Sequence, residues 1–267
     1  MILYLPFIIS LFAMIITWKF VFQILDKSIC LRENYKKDLV PACGGILFIP
    51  AIFLSFIVIT TIGIKENNIY LFMISIIIMS YIGLIDDLLG DRSVTGLKGH
   101  IRSMLHGKLT TGGLKAVMGF LVALYLSINI SKNIINIIIN TLIIALFTNF
   151  LNLLDLRPGR AGKVFIFLSF VFLIIGNAHP IFLMIMLGIV IIYLPLDLKG
   201  KIMMGDAGSN VLGLTIGIAS VIIFSFKIRI IILILLILIH TLTEKYSLTK
   251  IIEKNKLLNY IDMIGRK

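Results

Sequence analysis

Apolar runs dominate the chain, and four acidic clusters stand where such runs end or begin, at Asp86–Asp87, Asp155, Asp197 and Asp206. A helix needs about 17–25 residues to cross a bilayer, and most of the runs reach that length. The sequence therefore predicts an all-α fold, a polytopic transmembrane helical bundle. We expect about nine spans: Ile2–Leu25, Cys43–Ile64, Ile69–Ile85, Leu114–Ile130, Ile134–Leu154, Val164–Ile175, Pro180–Leu196, Val211–Phe226 and Ile228–Leu242.

The composition supports a membrane protein and argues against a nucleic-acid-binding one. Hydrophobic residues make up 59% of the 267 residues and charged residues only 14%, whereas a soluble domain averages about 25% charged residues. The net charge of +12 comes without a basic stretch interleaved with aromatic residues, so we predict no nucleic-acid partner. We expect residues 1–242 to form the membrane domain and residues 243–267 a cytoplasmic amphipathic tail.

The distribution of Lys and Arg predicts the orientation of the bundle. With the N-terminus outside, 20 of the 25 cations fall in the cytoplasmic segments. Four fall in the external ones, at Lys65, Lys132, Lys227 and Arg229, and Lys19 lies within the first run. The positive-inside bias therefore predicts an external N-terminus. The same topology places all four acidic clusters at one cytoplasmic face.

Two of the acidic clusters have the residue types of a site for metal and phosphate. Asp86 and Asp87 can bind Mg²⁺ or act on an incoming phosphate, although a solvated helix end is the alternative. Asp206 can be a metal ligand, and Gly208 and Ser209 beside it are small enough for backbone N–H groups to approach a phosphate. Capping of the next helix by Asp206 or Ser209 is the competing interpretation.

A polar stripe and two arginines form a third candidate region. Asn149, Asn152 and Asp155 follow one another at intervals of three, which places them along one helix face. Such amides can bind a base or a sugar, or can hydrogen-bond between helices. Arg157 and Arg160 follow directly and suit phosphate binding, or mark a cytoplasmic loop.

Taken in order, these residues resemble the polyprenyl-phosphate N-acetylhexosamine-1-phosphate transferases of glycosyltransferase family 4. This group includes the phospho-N-acetylmuramoyl-pentapeptide transferase of cell-wall synthesis. The resemblance covers about Lys37 to Gly217 and rests on four landmarks: Lys37 before Pro41, Gly44 and Gly45; Asp86-Asp87; Asn149, Asn152 and Asp155; and Met204 to Ser209.

The resemblance implies the transfer of a sugar 1-phosphate from a nucleotide sugar to a polyprenyl phosphate, with release of a nucleoside monophosphate. It implies Mg²⁺ as cofactor, with Mn²⁺ as the alternative ion, and a role in glycan precursor synthesis for the bacterial cell envelope, such as peptidoglycan. The cytoplasmic membrane is the expected location, and a homodimer is left open. The implied roles are metal binding by Asp206 and Asp155, catalysis by Asp86 and Asp87, and substrate binding by Lys37, Asn149, Asn152, Arg157, Arg160, Gly208 and Ser209.

Departures from the family pattern suggest a divergent subgroup. Leu156, Pro158 and Gly159 stand where the family usually has Gly, Asp and Gly, and a late histidine cluster is absent, with His240 the only histidine near that region. A different nucleotide-sugar donor is therefore expected. A non-catalytic member that binds lipid phosphate or assists a partner enzyme is the alternative. A transporter is disfavoured because the ionisable groups cluster at one face rather than in mid-membrane.

Overall fold

The computed structural model describes residues 4–27, 29–64, 68–90, 99, 103, 106–176 and 178–266. Within these ranges the chain forms a bundle of α-helices with one two-stranded sheet, so the all-α prediction is confirmed. Half of the residues between Asp86 and Gly113, in the predicted cytoplasmic loop, lie outside the described residues. The helices are α1 (Leu5–Leu25), α2 (Phe48–Thr61), α3 (Ile69–Leu89), α4 (Thr111–Ile130), α5 (Ile134–Leu154), α6 (Arg160–Ile175), α7 (Ile181–Leu198), α8 (Asp206–Ile223), α9 (Phe226–Lys245), α10 (Leu248–Lys254) and α11 (Lys256–Met263).

Each of the nine predicted apolar runs forms a helix. Within the described part of the chain, eight helices are long and apolar enough to cross a membrane, counting α2 together with the 3-10 turn Gly44–Leu47 before it. The ninth, α6, has 16 residues, close to the lower limit for crossing. The turn predicted at Lys227 and Arg229 was misplaced, because α8 ends at Ile223 and both cations lie inside α9.

A short β-hairpin between α1 and α2 was not predicted from the sequence. Strands β1 (Leu31–Glu33) and β2 (Leu39–Pro41) pair antiparallel, with Leu31 opposite Pro41. The Asn34 side chain accepts backbone N–H bonds within the hairpin turn and donates to the carbonyl of Gly200 at 2.9 Å. The hairpin is therefore attached to the segment between α7 and α8.

Helix α8 is the centre of the bundle, and 89% of its residues are buried. Glycines allow the close approach of α5, because a Cβ on Gly213 would lie 2.4 Å from the backbone of Phe147 and Thr148. A Cβ on Gly217 would lie 2.8 Å from Ile144 Cα. Small residues are typical where transmembrane helices pack closely. The first residue of this central helix, Asp206, is thereby held at the end of the bundle where α3 and α5 finish.

Candidate active site

Asp87 and the N-terminus of α8 form the best-defined contact of the site. The two carboxylate oxygens of Asp87 accept backbone N–H bonds from Asp206 at 2.8 Å and from Ala207 at 3.0 Å. The first N–H groups of a helix have no partner within the helix, and its N-terminus favours negative charge. A carboxylate of the protein therefore occupies the first two backbone N–H donors of α8.

Asp86 and Asp206 converge on one cation, the ammonium of Lys115. Lys115 Nζ lies 2.7 Å from Asp86 Oδ2 and also contacts Asp206 Oδ2. All three side chains are partly exposed, at 16–22%. Lys115 lies near the start of α4, where the Thr110 side chain caps the helix by accepting the N–H of Gly113. The ammonium neutralises two carboxylates that come from different helices.

Sequence reasoning missed Lys115 as a site residue and counted it only among the cytoplasmic cations. The available signal was a single lysine at the start of an apolar helix, Thr111–Ile130. A cation there opposes the helix dipole, which is unfavourable unless nearby carboxylates compensate. Its position near Asp86 and Asp206 nevertheless depends on how α3, α4 and α8 pack.

Asp155 joins the cluster from the C-terminal end of α5. The backbone N–H of Gly205 lies close enough to its carboxylate to favour the ionised form. Burial raises the pKa of Asp155 well above its usual value, and the nearby charges of Asp197, Asp206 and Asp87 raise it further. The structure therefore brings together the acidic clusters that are far apart in sequence.

The four carboxylates of the cluster fall into two pairs. Asp87 accepts hydrogen bonds from the backbone of residues 206 and 207, and the Asp155 carboxylate lies close to the N–H of Gly205, so both face the start of α8. Asp86 and Asp206 face Lys115 instead. Among the residues that the structure describes, only the second pair has carboxylate oxygens in contact with a side-chain cation.

Asp197, the remaining acidic position, contacts the turn between α5 and α6. Its side chain is buried and accepts the backbone N–H of Gly159 at 3.0 Å. Gly159 has a φ of +73°, a left-handed conformation that glycine adopts at low cost. Asp197 therefore stabilises the turn that follows Asp155.

The polar stripe on α5 is divided between two environments. Asn152 donates from Nδ2 to Asn210 Oδ1 of α8 at 3.1 Å, whereas Asn149 is exposed. Ser209 is fully buried. A Cβ on Gly208 would lie 2.7 Å from Gly45 Cα, so the space beside Gly208 is filled by protein. The predicted phosphate contacts of Gly208 and Ser209 stay predictions.

The predicted phosphate-binding cations lie on other parts of the structure. Arg160 is buried and forms a bidentate ion pair with Asp262 of the tail. Arg157 is exposed and lies 3.4 Å from Glu253. Lys37 is exposed in the hairpin turn, with a φ of +68°. Their roles towards substrate stay predictions, and for Arg160 the observed partner is a carboxylate of the chain itself.

The donor set of the cluster fits a magnesium ion that is completed by substrate. Within the described residues there is no group of three or more His, Cys, Asp or Glu side chains arranged to hold a metal. Mg²⁺ in phosphoryl-transfer sites is usually bound by one or two carboxylates, together with substrate phosphates and water. Asp86 and Asp206 already share one cation, Lys115, and so provide such a pair.

Comparison with protein families identifies the part of the chain that contains this cluster. The model of glycosyl transferase family 4 matches residues 69–224, more than half of the chain. The match begins at α3 and ends just after α8, so it includes Asp86, Asp87, Lys115, Asp155 and Asp206. Lys37 and the tail lie outside it. No curated protein matches the chain.

Proposed function

Because the chain belongs to glycosyl transferase family 4, we propose that this multi-pass membrane protein transfers a sugar 1-phosphate from a nucleotide sugar to a polyprenyl phosphate. The observation that carries the proposal is the position of Lys115 between the carboxylates of Asp86 and Asp206. Both substrates carry phosphates, so their reaction requires positive charge at the point where they meet. The cluster offers an ammonium and a carboxylate pair suited to a second cation.

In the proposed reaction, an oxygen of the polyprenyl phosphate attacks the β-phosphorus of the nucleotide sugar. The bond between this phosphorus and the bridging oxygen breaks, and the nucleoside monophosphate leaves with the electron pair. A polyprenyl phosphate is already ionised at neutral pH, so the attacking oxygen needs orientation more than it needs a base. Catalysis then rests mainly on positioning and on charge stabilisation.

Each residue of the cluster has a role in this proposal. Asp86 and Asp206 would hold Mg²⁺, which would neutralise phosphate charge during the transfer. Lys115 would move from these carboxylates to the donor phosphates and stabilise the charge that develops on the leaving oxygen. Asp87 and Asp155 would act as positioning residues, because Asp87 hydrogen-bonds the backbone at the start of α8 and Asp155 lies close to the N–H of Gly205 just before it.

Two of the polar residues are proposed to contact the donor. Asn149 is exposed on the same helix end that carries Asp155, so its amide is free to meet a base or a sugar. Asn152 would act with Asn210, to which it donates a hydrogen bond. Leu156 and Pro158, which depart from the family's sequence pattern, lie just beyond this end of α5. For this reason we propose a donor that differs from the usual uridine nucleotides of the family.

Metal-dependent exchange tests the proposal directly. Purified protein in detergent is incubated with a nucleotide sugar, Mg²⁺ and labelled nucleoside monophosphate, in the presence of polyprenyl phosphate. We expect label to enter the nucleotide sugar and chelation to abolish the exchange. Label is followed across uridine, cytidine and guanosine donors. Binding of polyprenyl phosphate with no exchange for any donor would favour the non-catalytic alternative.

A further inference from the structure

The C-terminal tail is joined to the turn after Asp155 by a buried ion pair. Asp262, in α11, accepts from Arg160 Nε at 2.9 Å and from Arg160 Nη2 at 2.8 Å. The side chains of Arg160 and Asp262 are only 3% and 6% exposed. Arg266 donates to the same carboxylate at 2.6 and 3.0 Å. Two arginines thus enclose one acid, and this bidentate geometry is specific as well as strong.

Two further contacts attach the tail to the same turn. Arg266 Nε donates to the carbonyl of Pro158 at 2.7 Å. Lys163 Nζ donates to the carbonyls of Ile261, Asp262 and Ile264 at 2.6–3.1 Å. The last carbonyls of a helix have no partner within it and favour a cation. The tail therefore contacts this turn through both its side chains and its backbone.

The opposite side of the turn faces the acidic cluster. Gly159 donates its N–H to Asp197, and the carboxylate of Asp155, four residues earlier, lies close to the N–H of Gly205. A tail that only rested on the membrane surface would not need a buried ion pair, because desolvation of two charges is costly. The contacts instead connect the tail, through one short turn, to a carboxylate of the site.

We infer that Asp262 is a positioning residue: by pairing with Arg160 and Arg266 it holds the turn 156–159, and so keeps Asp155 against the N-terminus of α8. This inference rests on the proposed function for its catalytic consequence, but the structural connection does not. It assigns the tail to the machinery of the site. It also explains why Arg160, which resembles a phosphate ligand in sequence, has a buried carboxylate as its partner.

Hydrogen–deuterium exchange of the full-length protein in detergent tests the connection without any activity. We compare the wild type with Asp262→Asn, Asp262→Glu and Glu253→Gln, the last removing an exposed ion pair from the same tail. For Asp262→Asn we expect exchange about tenfold faster in residues 157–163 and also around Gly205, far away in sequence. Asp262→Glu should restore part of this protection, and Glu253→Gln should leave it unchanged.

Kinetics of labelled nucleotide exchange then separate positioning from stability. With protein amounts corrected for the folded fraction, we expect Asp262→Asn to lower kcat about tenfold with little change in the donor KM. Faster hydrogen–deuterium exchange at residues 157–163 with no change in hydrogen–deuterium exchange around Gly205 would overturn the positioning role. So would faster hydrogen–deuterium exchange at residues 157–163 with an unchanged kcat. If the wild type shows no exchange activity, the proposed function fails, while protection around Gly205 still decides whether Asp262 holds Asp155 in place.

Discussion

The carboxylate of Asp87 accepts a 2.8 Å hydrogen bond from the backbone N–H of Asp206, 119 residues further along the chain. Its other oxygen accepts the N–H of Ala207. The end of α3 therefore caps the start of α8, the most buried helix of the bundle. This contact fixes the position of the Asp206 backbone, and hence the position from which its side chain contacts Lys115.

Asp87→Asn should damage both stability and activity. An amide carries no charge and accepts through one oxygen only, so one backbone N–H of α8 loses its partner. Hydrogen bonds to charged groups contribute about 1.5–3 kcal/mol, and we expect a loss of stability in that range. Thermal unfolding in detergent measures it. Asp26→Asn, which alters an exposed acid at the end of α1, is the control and should unfold like the wild type.

Lys115→Gln should lower the exchange activity by about a hundredfold, the size of effect seen when one charge-stabilising donor is removed. The loss of the ammonium leaves Asp86 and Asp206 without their shared partner. Lys115→Arg keeps the charge and should retain part of the activity. Lys132→Gln, an exposed lysine at the other end of α4, is the matched control. Equal activity of Lys115→Gln and the wild type would remove Lys115 from the proposed mechanism.

Gly45→Ala should destabilise the protein, whereas Gly119→Ala should not. A Cβ on Gly45 would lie 2.0 Å from Gly208 N, so backbone segments would have to separate. A Cβ on Gly119 would lie 3.5 Å from Met79 Cε, an ordinary contact. Overpacking costs about 1–3 kcal/mol, and a loss of this size in Gly45→Ala alone is expected from thermal unfolding. Similar stabilities for both variants would contradict the observed packing of Gly45 on Gly208.

The Asp262 ion pair should stabilise the protein at neutral pH and should lose this stabilising contribution at acidic pH. Burial alone would raise the pKa of Asp262, but hydrogen bonds from Arg160 and Arg266 outweigh it and lower the pKa. A carboxyl whose pKa is depressed on folding contributes fully above its unfolded value, about 3.9, and loses that contribution as the pH falls through the folded value.

The measurement for this prediction is the stability difference between the wild type and Asp262→Asn as a function of pH. Removal of one partner from a buried pair costs about 3–5 kcal/mol. We expect that difference to be constant from about pH 8 to 5 and to shrink below about pH 4. If the stability difference between the wild type and Asp262→Asn disappears already near pH 6, a group other than Asp262 determines how the tail stabilises the protein.

Reporter fusions should place the acidic cluster at the cytoplasmic face. A reporter after Lys132 should be external, and one after Gly113 or Lys201 should be cytoplasmic, because 20 of the 25 cations fall in the segments predicted to be cytoplasmic. A reporter after Glu66, which lies outside the described residues, should also be external. A cytoplasmic location of the reporter after Lys132 would mean that α4 and α5 cross the membrane in the opposite direction from the one predicted.

Local patterns in the chain were sufficient to predict the helices. A run such as Ile69–Ile85 is apolar over the length of a span, and its end at two carboxylates marks a membrane boundary whatever the rest of the chain does. The same reasoning misplaced the turn before α9, because Lys227 and Arg229 are cations that a helix tolerates. It also missed the hairpin, whose attachment through Asn34 and Gly200 joins residues 166 positions apart.

The sequence by itself determined that this is a helical membrane protein with Asp86, Asp87, Asp155 and Asp206 as its candidate site, because apolar length and carboxylate position are properties of single segments. Only the tertiary structure decided which carboxylates support the backbone of α8 and which share Lys115. It also decided that Arg160 pairs with Asp262. The physical reason is that hydrogen bonds and ion pairs act over a few ångströms, so their partners depend on which helix ends the packing brings together.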